Sequence, residues 1–129
     1  MAALTQARNT IELLGPMSYE REAGSKIFAG SLAAQNASGK AVPASDTAAL
    51  TVLGRAENTA ESGETVRIRT GRFIFENGTS TEALAVTDIG ATAYALDDQT
   101  VGKTGGTNKI KAGTVLDVTT AGVVVKING

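Results

Sequence analysis

A stretch of two-residue alternation between Glu64 and Gly78 constrains the fold of this chain most. Val66 and Ile68 alternate with Arg67 and Arg69. Successive side chains of a strand point to opposite faces, so this pattern predicts a strand with one buried face and one solvated face. The segment therefore indicates a sheet that covers an apolar core.

The alternation continues beyond Gly71, which we interpret as a bulge or a tight bend between two runs. Phe73 and Phe75 share one face of the second run, and Ile74 lies on the other face. The dipeptide Asn77–Gly78 follows and favours a turn. The two runs predict two successive strands.

Short apolar segments separated by turn-forming residues fill the rest of the chain from Ser25 onward. Strands spaced at roughly 8–12 residues favour a small barrel or sandwich. The last two segments are expected to form a hairpin with Val123, Val125 and Ile127 on one face. The predicted fold is a small all-β single domain, barrel or sandwich, over residues 23–129. Besides the two strands predicted between Glu64 and Gly78, the predicted strand segments are 26–35, 50–56, 92–96, 100–101, 113–118 and 123–127.

The connections between these strands carry predictions of their own. Pro43 cannot donate a hydrogen bond to a ladder, so it is expected at a sheet edge or outside a sheet. Residues 80–90 are expected to hold one helical turn, which starts at Thr87–Asp88 and ends at Gly90. Residues 103–108 are rich in Gly and polar residues and are predicted to form a flexible loop.

Residues 1–22 differ from the rest and are assigned to an N-terminal arm. Residues 2–14 lack clean strand alternation, and Gly15–Pro16 would end a helix there, so an extended or partly helical arm is expected. A disordered terminus is the alternative. An arm that orders against a neighbouring subunit is favoured by its apolar side chains, Leu4, Ile11, Leu13 and Leu14.

Length and charge narrow the classes of protein to which the chain can belong. Its 129 residues predict one domain. Twelve basic and 13 acidic side chains nearly balance, whereas nucleic-acid binding normally needs a basic patch, so we expect no nucleic-acid partner. The start of the chain lacks the basic and apolar regions of a secretory signal. No apolar stretch approaches the ~20 residues that span a bilayer, so no membrane partner is expected.

The available residue types restrict the chemistry of the chain. It has no Cys and no His, which removes the commonest general base, the thiol nucleophile and thiolate metal ligands. Asp97–Asp98 are predicted to form a turn, because the segment lacks the spacing of a calcium loop. Lys103 lies in a Gly-rich segment without the full phosphate-loop pattern, and Lys40 is predicted in a solvated turn. We therefore expect no enzymatic activity, no cofactor and no metal.

Arg67, Arg69 and Arg72 are the candidate interaction residues of the β part. Two interpretations of this basic strip stay open. In one, the arginines lie on a solvated sheet face with Glu64 and Glu76 as partners. In the other, they form a docking face for an acidic surface.

Several segments, which together span nearly the whole chain, resemble one family. They are similar to small proteins encoded near the major capsid protein in tailed phages and Mu-like prophages, which are described as capsid cement or head-decoration proteins. The similar segments are 3–10, Ala23–Ala44, Leu53–Asn58, Val66–Phe73, Thr87–Gly90, Tyr94–Val101, Gly113–Val118 and Ala121–Val125. The resemblance departs at Ile11–Leu14, where a more basic segment is expected.

The resemblance implies a non-catalytic structural protein that binds the outer surface of an assembled phage head across capsomer junctions and stabilises the shell. The partners that it implies are the major capsid protein and further copies of this chain. A homotrimer is favoured, because capsid lattices offer three-fold junctions, and a dimer is the alternative. The protein would be made in the host cytoplasm and would reside on the virion.

The arm is the part of the chain that the resemblance places against the capsid. The arm residues expected to contact it are Leu4, Arg8, Asn9, Ile11, Leu13 and Leu14. A small β module that recognises carbohydrate or a host surface is the alternative function. The chain has only five aromatic residues, and they are scattered along the sequence. This scarcity argues against carbohydrate recognition, since sugar-binding sites usually stack the sugar on exposed aromatic rings.

Overall fold

The computed structural model describes residues 2–3, 5–8, 10, 12–13 and 15–127. This part of the chain contains ten strands in two sheets and two single-turn 3-10 helices, Ser80–Glu82 and Val86–Asp88. The prediction of a small all-β fold is thereby confirmed. The strands are β1 (Ser18–Glu22), β2 (Leu32–Gln35), β3 (Ala41–Pro43), β4 (Thr51–Ala56), β5 (Thr65–Arg69), β6 (Gly71–Asn77), β7 (Thr92–Ala95), β8 (Thr100–Gly102), β9 (Lys111–Thr119) and β10 (Gly122–Ile127).

The first sheet has the antiparallel order β1-β5-β4-β2-β3. Pro43 lies in the edge strand β3, as predicted from its missing donor. A parallel bridge between Ala23 and Ala41 links the end of β1 to β3. The Gly24 amide also donates to the Ala41 carbonyl at 2.7 Å. These contacts curl the sheet so that its two edges meet at one end.

The second sheet closes into a barrel with the order β10-β6-β8-β7-β9. The parallel pair β6–β8 completes the closure. Strands β9 and β10 form the predicted hairpin, which carries a bulge beyond Val124. Val123, Val125 and Ile127 are all buried in the barrel, as the alternation indicated.

The bend predicted at Gly71 is the point where the chain leaves the first sheet and enters the barrel. Thr70 is buried, and its hydroxyl accepts a hydrogen bond of 2.8 Å from the Met17 amide. Gly71 has φ +152°, a conformation that L side chains rarely adopt. The bend therefore lets one continuous alternating segment serve two sheets.

Two apolar cores lie on opposite faces of the strands β2 and β4. The barrel core contains Phe75 together with Leu32 and Val52 from the first sheet. The sheet core contains Ala33 and Leu53 from the same two strands. A bulge in the β2–β4 pairing shifts the register between these positions. The pair β2–β4 is thus a shared layer with apolar side chains on both faces.

Several local predictions need correction. Residues 18–22 do not belong to an arm; they form β1, because their backbone pairs with β5. The single helical turn predicted at Thr87–Gly90 is replaced by the two short 3-10 turns. The turn predicted at Asn77–Gly78 is not formed, because Asn77 belongs to β6. Its side chain bonds the Leu84 amide and carbonyl, both at 2.8 Å, and closes a wider loop.

Candidate docking surface

Two arginines, one carboxylate and one ring form a compact group at the junction of the sheet and the barrel. The Arg55 and Arg69 guanidinium carbons lie 5.6 and 5.8 Å from the centroid of the Phe73 ring. Both guanidinium groups also pair with Glu57, at 3.1 and 3.4 Å. Cation–π contacts and ion pairs act on the same side chains, so both arginines are held in defined positions.

The strand register explains why this group forms. Arg55 of β4 lies directly opposite Arg69 of β5, an arrangement of like charges that is unfavourable without a counter-charge. Glu57 supplies that counter-charge just beyond the end of β4. Phe73, which follows the bend into β6, supplies the ring beneath both arginines. We call these four residues the arginine–phenylalanine cluster.

The other two arginines of the predicted strip lie elsewhere. Arg67 shares the exposed face of β5 with Arg69 and lies opposite Glu20 of β1. Arg72 lies beyond the bend, on the outer face of the barrel, opposite Lys126 of β10. The structure therefore brings Arg67 and Arg69 onto one face and places Arg72 on a different surface.

The partners expected for the strip also differ from those observed. Within the described residues, Glu57 takes the ion pairs of the cluster, whereas Glu64 and Glu76 pair with none of the three arginines. The Glu64 carboxylate instead accepts a hydrogen bond of 2.7 Å from the Glu61 amide. Sequence proximity did not indicate Glu57, because its contact depends on the pairing of β4 with β5.

The predicted contact residues of the arm are only partly described. Arg8 is exposed, and Leu13 is 73% exposed. The described residues before Ser18 belong to no helix or strand. The remaining predicted arm contacts, Leu4, Asn9, Ile11 and Leu14, lie outside the described residues.

Large apolar side chains are exposed on the folded body as well. Phe28 is 57% exposed, with the Lys26 ammonium 5.0 Å from its ring centroid. Ile74 is 55% exposed on the outer face of β6. Val86 and Ile89 are exposed around the second 3-10 turn. Singly exposed apolar side chains are normal on protein surfaces, so these residues by themselves do not define a contact surface.

A carboxylate holds the loop that was predicted to be flexible. Glu82 accepts hydrogen bonds from the amides of Thr104, Gly105 and Gly106, at 2.8, 3.1 and 3.2 Å, and a further short one from the Thr104 hydroxyl. The Thr104 hydroxyl and then the backbone amides lower the pKa of Glu82 from 4.5 to about 2.

Asp46 holds the next part of the same loop. Its carboxylate accepts hydrogen bonds from the Thr107 and Asn108 amides, at 2.9 and 2.8 Å, and from the Asn108 side chain at 3.0 Å. The backbone amides of Thr107 and Asn108 lower the pKa of this carboxyl. Since Asp46 lies between β3 and β4, it fastens the barrel loop to the first sheet.

The residues considered for catalysis have structural contacts. The Asp97 carboxylate accepts hydrogen bonds from the Gln99 and Thr100 amides, at 2.9 and 2.8 Å, as in the predicted turn. Lys103 lies 3.7 Å from Asp88, and the Lys40 ammonium pairs with Glu22 at 3.0 Å. No group of three Asp or Glu side chains suited to a metal ion occurs in the described part of the chain.

Comparisons with known proteins produce no match. No family model, curated protein or solved structure is significantly similar to the chain. The resemblance to head-decoration proteins therefore stays a prediction. No helix among the described residues is long and apolar enough to cross a bilayer.

Proposed function

We propose that this chain is a non-catalytic capsid decoration, or cement, protein. In this proposal it binds the outer surface of an assembled phage head across capsomer junctions and stabilises the shell. Its partners are the major capsid protein and further copies of itself, as a trimer or, alternatively, a dimer. It is found on the outside of the virion.

The observation that carries the proposal is the ordered basic face at the junction of the two sheets. Arg55 and Arg69 share one carboxylate and one aromatic ring, and Arg67 is exposed on the same strand face as Arg69. These three cations lie on a β scaffold, and the two in the cluster are already ordered. Ordered side chains lose little entropy on binding, so such a face is suited to an acidic protein surface.

The arm supports the same role by a separate mechanism. About 14 residues of extended chain reach up to roughly 45–50 Å, which is enough to cross a subunit junction. Leu13 is exposed and would gain by burial against a partner. Several arms on one oligomer would engage several shell subunits, so modest single contacts would add up through effective concentration.

Uptake by empty shells tests this function directly. Purified full-length protein is added to undecorated shells of the parent phage, and bound protein is measured against free protein. We expect saturable uptake and an increase in the temperature at which the shells rupture. Absence of saturable uptake, with unchanged rupture temperature, would refute the proposal.

A charge-reversal variant tests the basic face within the same assay. Arg67→Glu with Arg69→Glu is expected to weaken uptake by about tenfold or more, since like charges would then meet across the contact. The matched control is Lys103→Glu with Lys111→Glu, which changes the net charge equally at positions away from this face. Equal uptake by both variants would show that the face is not the docking site.

A further inference from the structure

The outer face of β6 carries a cation and a carboxylate on either side of an exposed apolar residue. Arg72, Ile74 and Glu76 alternate with inward-facing residues and point to solvent. Alternate residues of a strand lie about 7 Å apart. The basic and the acidic side chain are therefore placed at equal spacing from Ile74.

Strand β10 extends this pattern on the same face. Val124 lies directly opposite Ile74, and Lys126 lies directly opposite Arg72. Gly122 occupies the remaining position, beside Glu76, and leaves the surface there without a side chain. Any Cβ at Gly122 would overlap the Phe75 carbonyl oxygen. The face thus has a basic end, an aliphatic centre and an acidic end.

The charges of this face have no counter-charge within the described part of the protomer. Arg72, Glu76 and Lys126 take part in none of its ion pairs. Arg72 and Lys126 are nevertheless adjacent across the β6–β10 ladder, where like charges repel. A carboxylate from another molecule would relieve this repulsion.

A two-fold axis that lies in the contact plane, perpendicular to the strands and through Ile74 and Val124, makes the face complementary to itself. The rotation lays Ile74 and Val124 of one copy on the same residues of the other and reverses the strand direction, so Arg72 faces Glu76. Lys126 then lies over Gly122, beside the same Glu76. The Arg72–Glu76 contact occurs twice, as a two-fold interface between identical chains requires.

We propose that the outer β6–β10 face is a self-association surface that binds a second copy of this chain. Both strands have paired neighbours on each side in the closed barrel, so the contact is made by side chains face to face rather than by an added strand. This inference deepens the self-association part of the proposed function, on which it rests, and favours the two-fold contact over the three-fold one.

The test uses the purified full-length chain without shells, so shell binding and self-association can fail independently. Analytical ultracentrifugation over a range of concentrations is expected to show a monomer–dimer equilibrium for the wild type. Arg72→Glu and Glu76→Arg should each weaken dimerisation by on the order of tenfold or more, because each change opposes like charges twice in one interface.

Mixing the two variants gives the decisive measurement. In an equimolar mixture, the new carboxylate at position 72 of one copy faces the new guanidinium at position 76 of the other. The second contact of the same heterodimer joins the unchanged Arg72 and Glu76, so heterodimers should form with nearly wild-type affinity. Lys111→Glu is the control, since Lys111 lines a groove of about 480 Å³ elsewhere on the molecule, and it should dimerise as the wild type does. Recovery on mixing also shows that both variants are folded.

Three outcomes would overturn the inference. The first is a wild-type chain that stays monomeric at every concentration. The second is a dimer or trimer that neither charge reversal weakens. The third is a mixture of the two variants that associates no better than either variant alone.

Discussion

At the scale of single residues, two carboxylates determine the conformation of residues 104–108. Glu82 and Asp46 together accept the backbone hydrogen bonds of five consecutive residues. Such bonds to a charged acceptor are stronger than those between neutral groups. Composition predicted a flexible loop, because the acceptors lie more than 20 positions away in sequence and only the folded chain brings them near.

Replacement of Glu82 by Gln tests the role of this carboxylate. The amide keeps one acceptor oxygen but loses the charge and the second oxygen. We expect the free energy of unfolding to fall by roughly 1–2 kcal/mol, measured by chemical denaturation. Glu20→Gln is the control, since Glu20 is exposed and its side chain has no hydrogen bond among the described residues. Equal stability of the two variants would contradict this role.

Acid should weaken the fold through the same groups. The pKa of Glu82 falls from 4.5 to about 2 on folding, and that of Asp46 is lowered too. The unfolded chain therefore binds more protons between these values, so stability is full above pH 4.5 and is lost as the pH falls towards 2. Denaturation curves across this range should show a shallower pH dependence for Glu82→Gln than for the wild type.

At the scale of elements, alternation was a good guide wherever a strand has one buried face. It located β5, β6 and the β9–β10 hairpin, and it assigned the inward-facing side chains of β5, β6 and β10 correctly. Strand β1 was missed, because its sequence Ser18–Glu22 contains charged residues and no fully buried one. Strand β2 has no alternation to detect, since Leu32, Ala33 and Ala34 are all buried between the two cores.

Close approach of two strands at Gly54 provides a test at this scale. A Cβ on Gly54 would overlap the Arg69 carbonyl oxygen, so Gly54→Ala must push β4 and β5 apart beside the arginine–phenylalanine cluster. We expect a loss of about 1–3 kcal/mol in the free energy of unfolding. Gly24→Ala is the control, because the atoms nearest to its Cβ are side-chain atoms of Lys40 and Val42 at 3.3 Å, which need to shift by only a few tenths of an ångström. A Gly54→Ala variant as stable as this control would argue against the close packing.

At the scale of the whole molecule, the candidate site could be predicted only in part. The sequence identified Arg67 and Arg69 as neighbours on one strand, which the structure confirms. It did not indicate Arg55 or Glu57, whose positions depend on strand register. It also grouped Arg72 with Arg67 and Arg69, although Arg72 lies on the barrel and the other two lie on the first sheet. Arg72 is close to Arg69 in sequence, but the bend between them places the two side chains on different sheets.

Deletion of residues 1–14 separates the arm from the body. The body should stay folded, because the described strands begin at Ser18 and both cores lie after it. Its melting temperature should stay close to that of the full chain, while uptake by undecorated shells should fall severalfold or more. Uptake equal to that of the full-length protein would show that the arm is dispensable.

The layer formed by β2 and β4 determines how cooperatively the molecule unfolds. Its side chains belong to both cores, so detachment of either sheet would expose apolar surface of the other sheet to water. We therefore expect one cooperative melting transition, with equal calorimetric and van't Hoff enthalpies. A cut anywhere between β4 and β6 should yield fragments that aggregate when separate and regain structure only when recombined.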